Sequence, residues 1–329
     1  MPNQTHDRFW GDTENDAPSP SPLANTERST ATGSSSSSSS SSSTQHANNS
    51  TFPKALTTSD HVTILAYGAL LSEESSRLTF PALQNFRYVQ VRGLRRVFAH
   101  PHLFLVGQGL TEDPPINATS EESTTPTRQW ASLSAEYHAE SSIVVAAFDV
   151  TLNDDQRRAF LAREASYDIV LVPYYPLSVD EDKDKNKEDT KHQDGDGDND
   201  QEAPRFTSIS DSTELPPPPL GEGVICLAST DERQAAHLAN LPPSLPVRSL
   251  WHWPRDSGLL PAAIYLRHCL LAVDKASIKE PRAKVSFWKD TYLADRTTTL
   301  AQYLTKDTTT YEQIINSRPP PELATRFGG

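Results

Sequence analysis

Two short stretches have residue types that suit acyl-transfer chemistry. The first is Tyr67-Gly68-Ala69-Leu70-Leu71, directly after the apolar run Val62-Thr63-Ile64-Leu65-Ala66. A glycine closing a buried strand lets the backbone turn tightly, and amides left free in such a turn can bind a carboxylate or a developing oxyanion. The same residues also read as a plain turn with Tyr67 in the core. The second stretch is Arg163-Glu164-Ala165-Ser166-Tyr167. Leu161 and Ala162 before Glu164 and Ile169-Val170-Leu171 after it put this carboxylate in a partly dry setting, which suits a general acid/base. An Arg-Glu pair at a helix end is otherwise an ordinary surface ion pair. Tyr167 is placed either to orient Glu164 or touch substrate, or to enter the core with its hydroxyl solvated.

The elements that must hold these residues can be read from local signals. His61 to Tyr67 is β-branched and apolar, as a short buried strand requires. Ser72 before Glu73 and Glu74 is an N-cap with acidic residues in the first turn of a helix running towards Phe80. Tyr88 to Phe98 reads as a second strand with a bulge at Gly93. Ser142 to Val150 is the most strand-like run and belongs in the sheet centre. Asn153-Asp154-Asp155-Gln156 has the form of a capping box, so a helix starts there with Phe160 and Leu161 facing the core. Ile169 to Pro173 is the next strand, which leaves Glu164 at a helix-to-strand junction. Folding resumes near Gly223-Val224-Ile225-Cys226, and two late helices are expected, Pro261 to Val273 and Arg296 to Leu304, with Asp295 as the second one's cap.

Composition limits the rest. The 329 residues include 26 prolines and only 36% hydrophobic residues. This points to one core carried by selected segments between disordered ones. The expected division is a Ser-rich disordered tail at 1–60, a core at 61–177 and an acidic, Pro-rich disordered insertion at 178–220. The helical remainder of the same domain follows at 221–310, then a flexible tail at 311–329, with Glu112 to Arg128 as a surface loop. A net charge of −13 argues against nucleic acid as a partner. No apolar run is long enough to span a bilayer. The N-terminus lacks secretory or transit character, so the expected location is cytoplasmic. Cys226 and Cys269 are the only cysteines; they have no zinc-ligand spacing and read as structural residues. Trp251-His252-Trp253, next to Pro254, reads as the anchor of a loop.

Taken in order, strand, Tyr-Gly-x-Leu-Leu, helix, central strand, capped helix, Arg-Glu-x-x-Tyr, strand, the segment from Val62 to about Tyr174 resembles the γ-glutamylcyclotransferase-like family (AIG2-like/BtrG-like fold). The resemblance implies an α+β fold, a mixed β-barrel or sheet with short flanking helices. By position it assigns Tyr67, Gly68, Ala69 and Leu70 to the substrate loop and Glu164 to the acid/base; Tyr167 is a substrate-binding candidate on its spacing from Glu164 alone. The implied reaction releases 5-oxoproline from a small γ-glutamyl compound, as a lyase or acyltransferase does in glutathione metabolism, with no metal or organic cofactor. Two departures stand out. Ala69 occupies the position of the family's usual serine, and Ala146 or Ala147 that of a glycine in the central strand. The alternative is a non-catalytic ligand-binding or regulatory module on the same fold.

Overall fold

The structure is a computed structural model that describes residues 60–111, 128–177 and 217–329. All of them belong to one compact unit, Thr51–Gly329. The expected Ser-rich tail, the 112–128 loop save its last residue, and the insertion up to residue 216 lie outside the described residues.

The first strand, β1 (His61–Ala66), runs into a 3₁₀ turn at Ala69–Leu71, and α1 (Glu73–Thr79) follows. Ser72 caps α1 as its sequence suggests, its side chain accepting from the Ser75 amide. Then come β2 (Gln84–Pro101), α2 (Leu103–Gly107), β3 (Arg128–Thr151), α3 (Asp154–Arg163) and β4 (Asp168–Tyr174). The last part of the chain forms β5 (Gly221–Leu227), α4 (Ala235–Ala239), β6 (Leu259–Pro261), α5 (Ala263–Lys279), α6 (Pro281–Lys289), β7 (Thr291–Tyr292), α7 (Leu300–Thr305) and α8 (Thr308–Asn316).

The strands form one mixed sheet in the order β4-β5-β1-β3-β2-β7, with β6 on β3. β3 is central, as expected, and antiparallel to both β1 and β2. It starts earlier than its apolar run implied, because Arg128 to Ser141 continue the same strand. The register with β2 shifts between Arg92 and Leu94, where Gly93 has φ of 74°. This is the bulge that glycine permits, and it bends the long β2–β3 ribbon. At the far edge, Tyr175 exchanges backbone hydrogen bonds of 3.0 and 2.8 Å with Gln90 of β2. The β4 end is thereby brought back to β2, and the sheet curls into a half-barrel. The helices α5 and α6 pack on it, so the architecture is mixed α+β.

Arg96 on β2 is fully buried. It donates to the Val144 carbonyl and, at 3.2 Å, to the Ser286 carbonyl of α6, so a charged side chain ties helix to sheet. Burial lowers its pKa to about 10. The expected second late helix is shorter than its pattern: Asp295 takes the Thr297 and Thr298 amides in a turn, and Thr299 caps α7. Residues 311–329, expected as a flexible tail, are ordered against α5. Phe327 is buried, and the Gly329 amide donates to His268 Nδ1 at 2.8 Å. An aromatic anchor and a buried imidazole acceptor outweigh the segment's polar composition. Among the described residues, no helix is long and apolar enough to cross a membrane.

Candidate functional site

Four elements converge on the candidate site. β1 delivers the Tyr67–Leu71 turn, α3 ends at Glu164, β5 carries Cys226, and α5 carries Tyr265 and Cys269. α3 starts where its sequence says: Asn153 Oδ1 accepts from the Gln156 amide at 2.9 Å, and Gln156 Oε1 accepts from the Asn153 amide at 3.1 Å. Helical geometry then ends at Glu164 (φ −96°, ψ 17°), whose backbone already turns towards β4.

The Glu164 carboxylate faces inward, its side chain only 16% exposed. Oε1 pairs with Arg163 Nε at 3.0 Å, and Oε2 accepts a long hydrogen bond from the Cys226 thiol at 3.7 Å. The Cys226 carbonyl in turn accepts from the Tyr67 hydroxyl at 2.6 Å. Cys226 therefore joins the two stretches singled out in the sequence: its side chain touches Glu164 and its backbone touches Tyr67. Tyr67 is buried, so it forms the wall of the site rather than its opening. Tyr167 is half-buried and donates to the Leu133 carbonyl at 3.1 Å.

Gly68 is buried, and a Cβ placed on it would lie 3.3 Å from both Leu133 Cδ2 and the Tyr265 hydroxyl. Ala69 and Leu70, one step on, are half-exposed. The Ala69 amide faces the Cys269 sulfur, and the Leu70 carbonyl accepts from Ser76 Oγ at 2.7 Å. The turn thus opens to solvent at Ala69 and Leu70 and is closed at Gly68 by the Tyr265 phenol. The structure brings Tyr67, Gly68, Ala69, Glu164 and Tyr167 into one region, while Leu70 serves the turn through its carbonyl.

Burial pushes the Tyr67, Tyr167 and Tyr265 phenols well above the usual range. The carboxylate of Glu164 adds to this at Tyr67 and Tyr167. The Cys226 thiol is raised for the same two reasons, and burial moves Cys269 up to about 12. At neutral pH these groups are therefore protonated hydrogen-bond donors, not nucleophiles. The arrangement combines one inward carboxylate, neutral phenol and thiol donors, and a turn whose Ala69 amide is held by the Cys269 sulfur. Such a set can shuttle a proton and steady a developing negative charge.

Cys226 and Tyr265 were not identified as site residues from sequence. Cys226 sits in a plain apolar run, and Tyr265 lies one helical turn from Cys269, a spacing that marks a shared helix face but nothing about what that face meets. Among the described residues there is no group of three or more His, Cys, Asp or Glu side chains that could hold a metal. A cleft of about 410 Å³ beside Trp253 and a cavity of about 190 Å³ beside Ser286 are lined by other residues.

No protein-family model matches the chain, and neither does any curated protein. Among solved structures, an uncharacterized protein from Homo sapiens is similar at 13% identity and a TM-score of 0.26, covering 36% of this chain and 60% of its own. A structure described as a γ-glutamyl cyclotransferase is similar at 12% identity and a TM-score of 0.24, covering 35% and 57%. The chain thus spans less than two thirds of either one, and both likenesses are too slight to weigh on fold or chemistry.

Proposed function

We propose that this protein is a γ-glutamylcyclotransferase-type enzyme that releases 5-oxoproline from a small γ-glutamyl compound. The observation that carries the reading is the inward Glu164 carboxylate, one residue removed from the Tyr67 turn through Cys226. In the reaction, the substrate's α-amino nitrogen attacks its own γ-carbonyl carbon, and a five-membered lactam closes. Glu164 takes the proton lost by that nitrogen. The turn supplies the donor for the carbonyl oxygen as it gains charge, the Ala69 amide exchanging the Cys269 sulfur for that oxygen. Collapse breaks the original C–N bond, and Glu164 returns the proton to the departing amine. Ala69 lacks the hydroxyl of the family's usual serine, but a backbone amide needs no side chain to donate.

Glu164→Gln keeps the size of the side chain and removes the proton acceptor. We expect it to fold as the parent does and to abolish 5-oxoproline release, followed by mass spectrometry over glutathione, γ-glutamyl amino acids and γ-glutamylamines. Turnover at the parental rate in this variant would sink the assignment. A second reading, a ligand-binding module without catalysis, draws on the close packing at Gly68, where Leu133 and Tyr265 leave little depth behind the turn. Under that reading the parent protein binds members of the panel and converts none.

A further inference from the structure

We infer that Trp251 is a positioning residue for Glu164, holding the turn that carries the carboxylate; this rests on the reading of Glu164 as the acid/base. The Glu164–Tyr167 turn has one internal backbone bond, from the Tyr167 amide to the Glu164 carbonyl at 2.9 Å. The Ser166 carbonyl in its middle is taken by Trp251 Nε1 at 2.8 Å. The indole also lies flat on His100, with centroids 4.5 Å apart and planes 13° apart, and meets Tyr167 edge-on at 5.5 Å. Tyr167 meets His100 edge-on at 4.8 Å. Three rings therefore lock together behind the carboxylate.

Trp251 is itself fixed. Asp231 Oδ1 accepts from the Leu250 and Trp251 amides at 2.8 and 2.7 Å, and Oδ2 accepts from Ser249 Oγ at 2.6 Å. The same part of the chain grips the far end of the turn, since Ser229 Oγ and Arg233 reach the Asp168 carboxylate at 2.8 and 2.5 Å. Without these contacts the turn is a fraying helix end, and an acid/base displaced by a fraction of an ångström loses its alignment with the reacting atoms.

Trp251→Phe keeps an aromatic ring against His100 and Tyr167 and deletes only the N–H donor. On a substrate the parent turns over, we expect kcat to fall roughly 10-fold with KM unchanged, the loss of one partly buried hydrogen bond. In hydrogen exchange on the full chain, the peptide covering Glu164 to Tyr167 should exchange roughly 10-fold faster on the same account, with β1 and β3 unchanged. Parental kcat together with parental exchange would overturn the inference, and so would faster exchange spread evenly over the sheet. If the parent converts no γ-glutamyl compound, the enzymatic reading falls and the exchange measurement alone decides the clamp. Should Trp251→Phe fail to fold, Asp231→Ala releases the Leu250 and Trp251 amides and must give the same local acceleration.

Discussion

At the level of single residues, the site depends on how little room surrounds Gly68. Its φ and ψ, both −126°, lie outside the β and right-handed helical regions that other residues occupy. Space is limited as well: an added methyl would meet Leu133 Cδ2 and the Tyr265 hydroxyl at 3.3 Å and Cys269 Sγ at 3.9 Å. Leu133 is held in the central strand and Tyr265 in a long helix, so neither yields easily. Gly68→Ala should therefore destabilise the fold by about 1–2 kcal/mol through overpacking, read as a lower midpoint in urea. An unchanged midpoint would show that the turn has slack. The helix-to-strand junction that carries Glu164 and Tyr167 was legible in the sequence, because a capping box marks where the helix begins and an apolar run marks the strand after it. Cys226 and Tyr265 were not, because their places at the site depend on β5 lying parallel to β1 and on α5 packing against the turn. No local pattern encodes either pairing.

At the level of elements, α3 matters beyond its own stability, since its last turn ends at Glu164. Asn153→Ala removes one side of the capping box and leaves the Gln156 amide without its acceptor. We expect a loss of about 1 kcal/mol, measured by denaturant titration, with the far-UV spectrum nearly unchanged. A loss of several kcal/mol would mean that Asn153 does more than cap. The early elements were legible: β1, the Ser72 cap, the Gly93 bulge and the strand after Glu164 all follow local rules. The first half of β3 was missed because both of its faces are buried from Trp130 to Ala135 and one of them carries Ser132 and Ser134. Serines on a core face erase the apolar alternation by which a strand is recognised. The packing of the segment after residue 310 was missed for a related reason, since its buried apolar side chains, Ile314 and Phe327, are widely spaced and its partner His268 lies on a distant helix.

At the level of the whole molecule, the buried imidazoles of His100 and His268 and the half-buried one of His102 make stability depend on pH. Burial lowers His100 and His102 to about 3 and His268 to about 4, with His102, Arg326 and Lys275 respectively the next contributors. His102 Nδ1 accepts from the Leu105 amide and His268 Nδ1 from the Gly329 amide, bonds that exist only while the rings are neutral. In the unfolded chain histidine titrates near 6.5. Between that value and the folded ones the unfolded state binds more protons, so stability is fully present above about pH 6.5 and is lost as pH falls. Each ring contributes a slope of up to about 1.4 kcal/mol per pH unit in that window. The melting temperature should therefore drop steadily from pH 7 to pH 5, before most carboxylates titrate. His268→Gln should flatten the slope, and a flat parental profile over this range would contradict the neutral assignment.

The strand order has a consequence for how the protein is made. Among the described strands β1 leaves the ribosome first, carrying the buried side chains Val62, Ile64 and Leu65. Its neighbours in the finished sheet are β3 and β5. The partner residues Ala146 to Thr151 of β3 are translated well after it, and those of β5 only once the 178–216 segment has passed. Through most of synthesis the strand that ends in the candidate substrate turn is thus an open apolar edge, the kind that pairs wrongly with other chains. The strand on which the proposed chemistry depends is open to misassembly during synthesis until β5 closes over it.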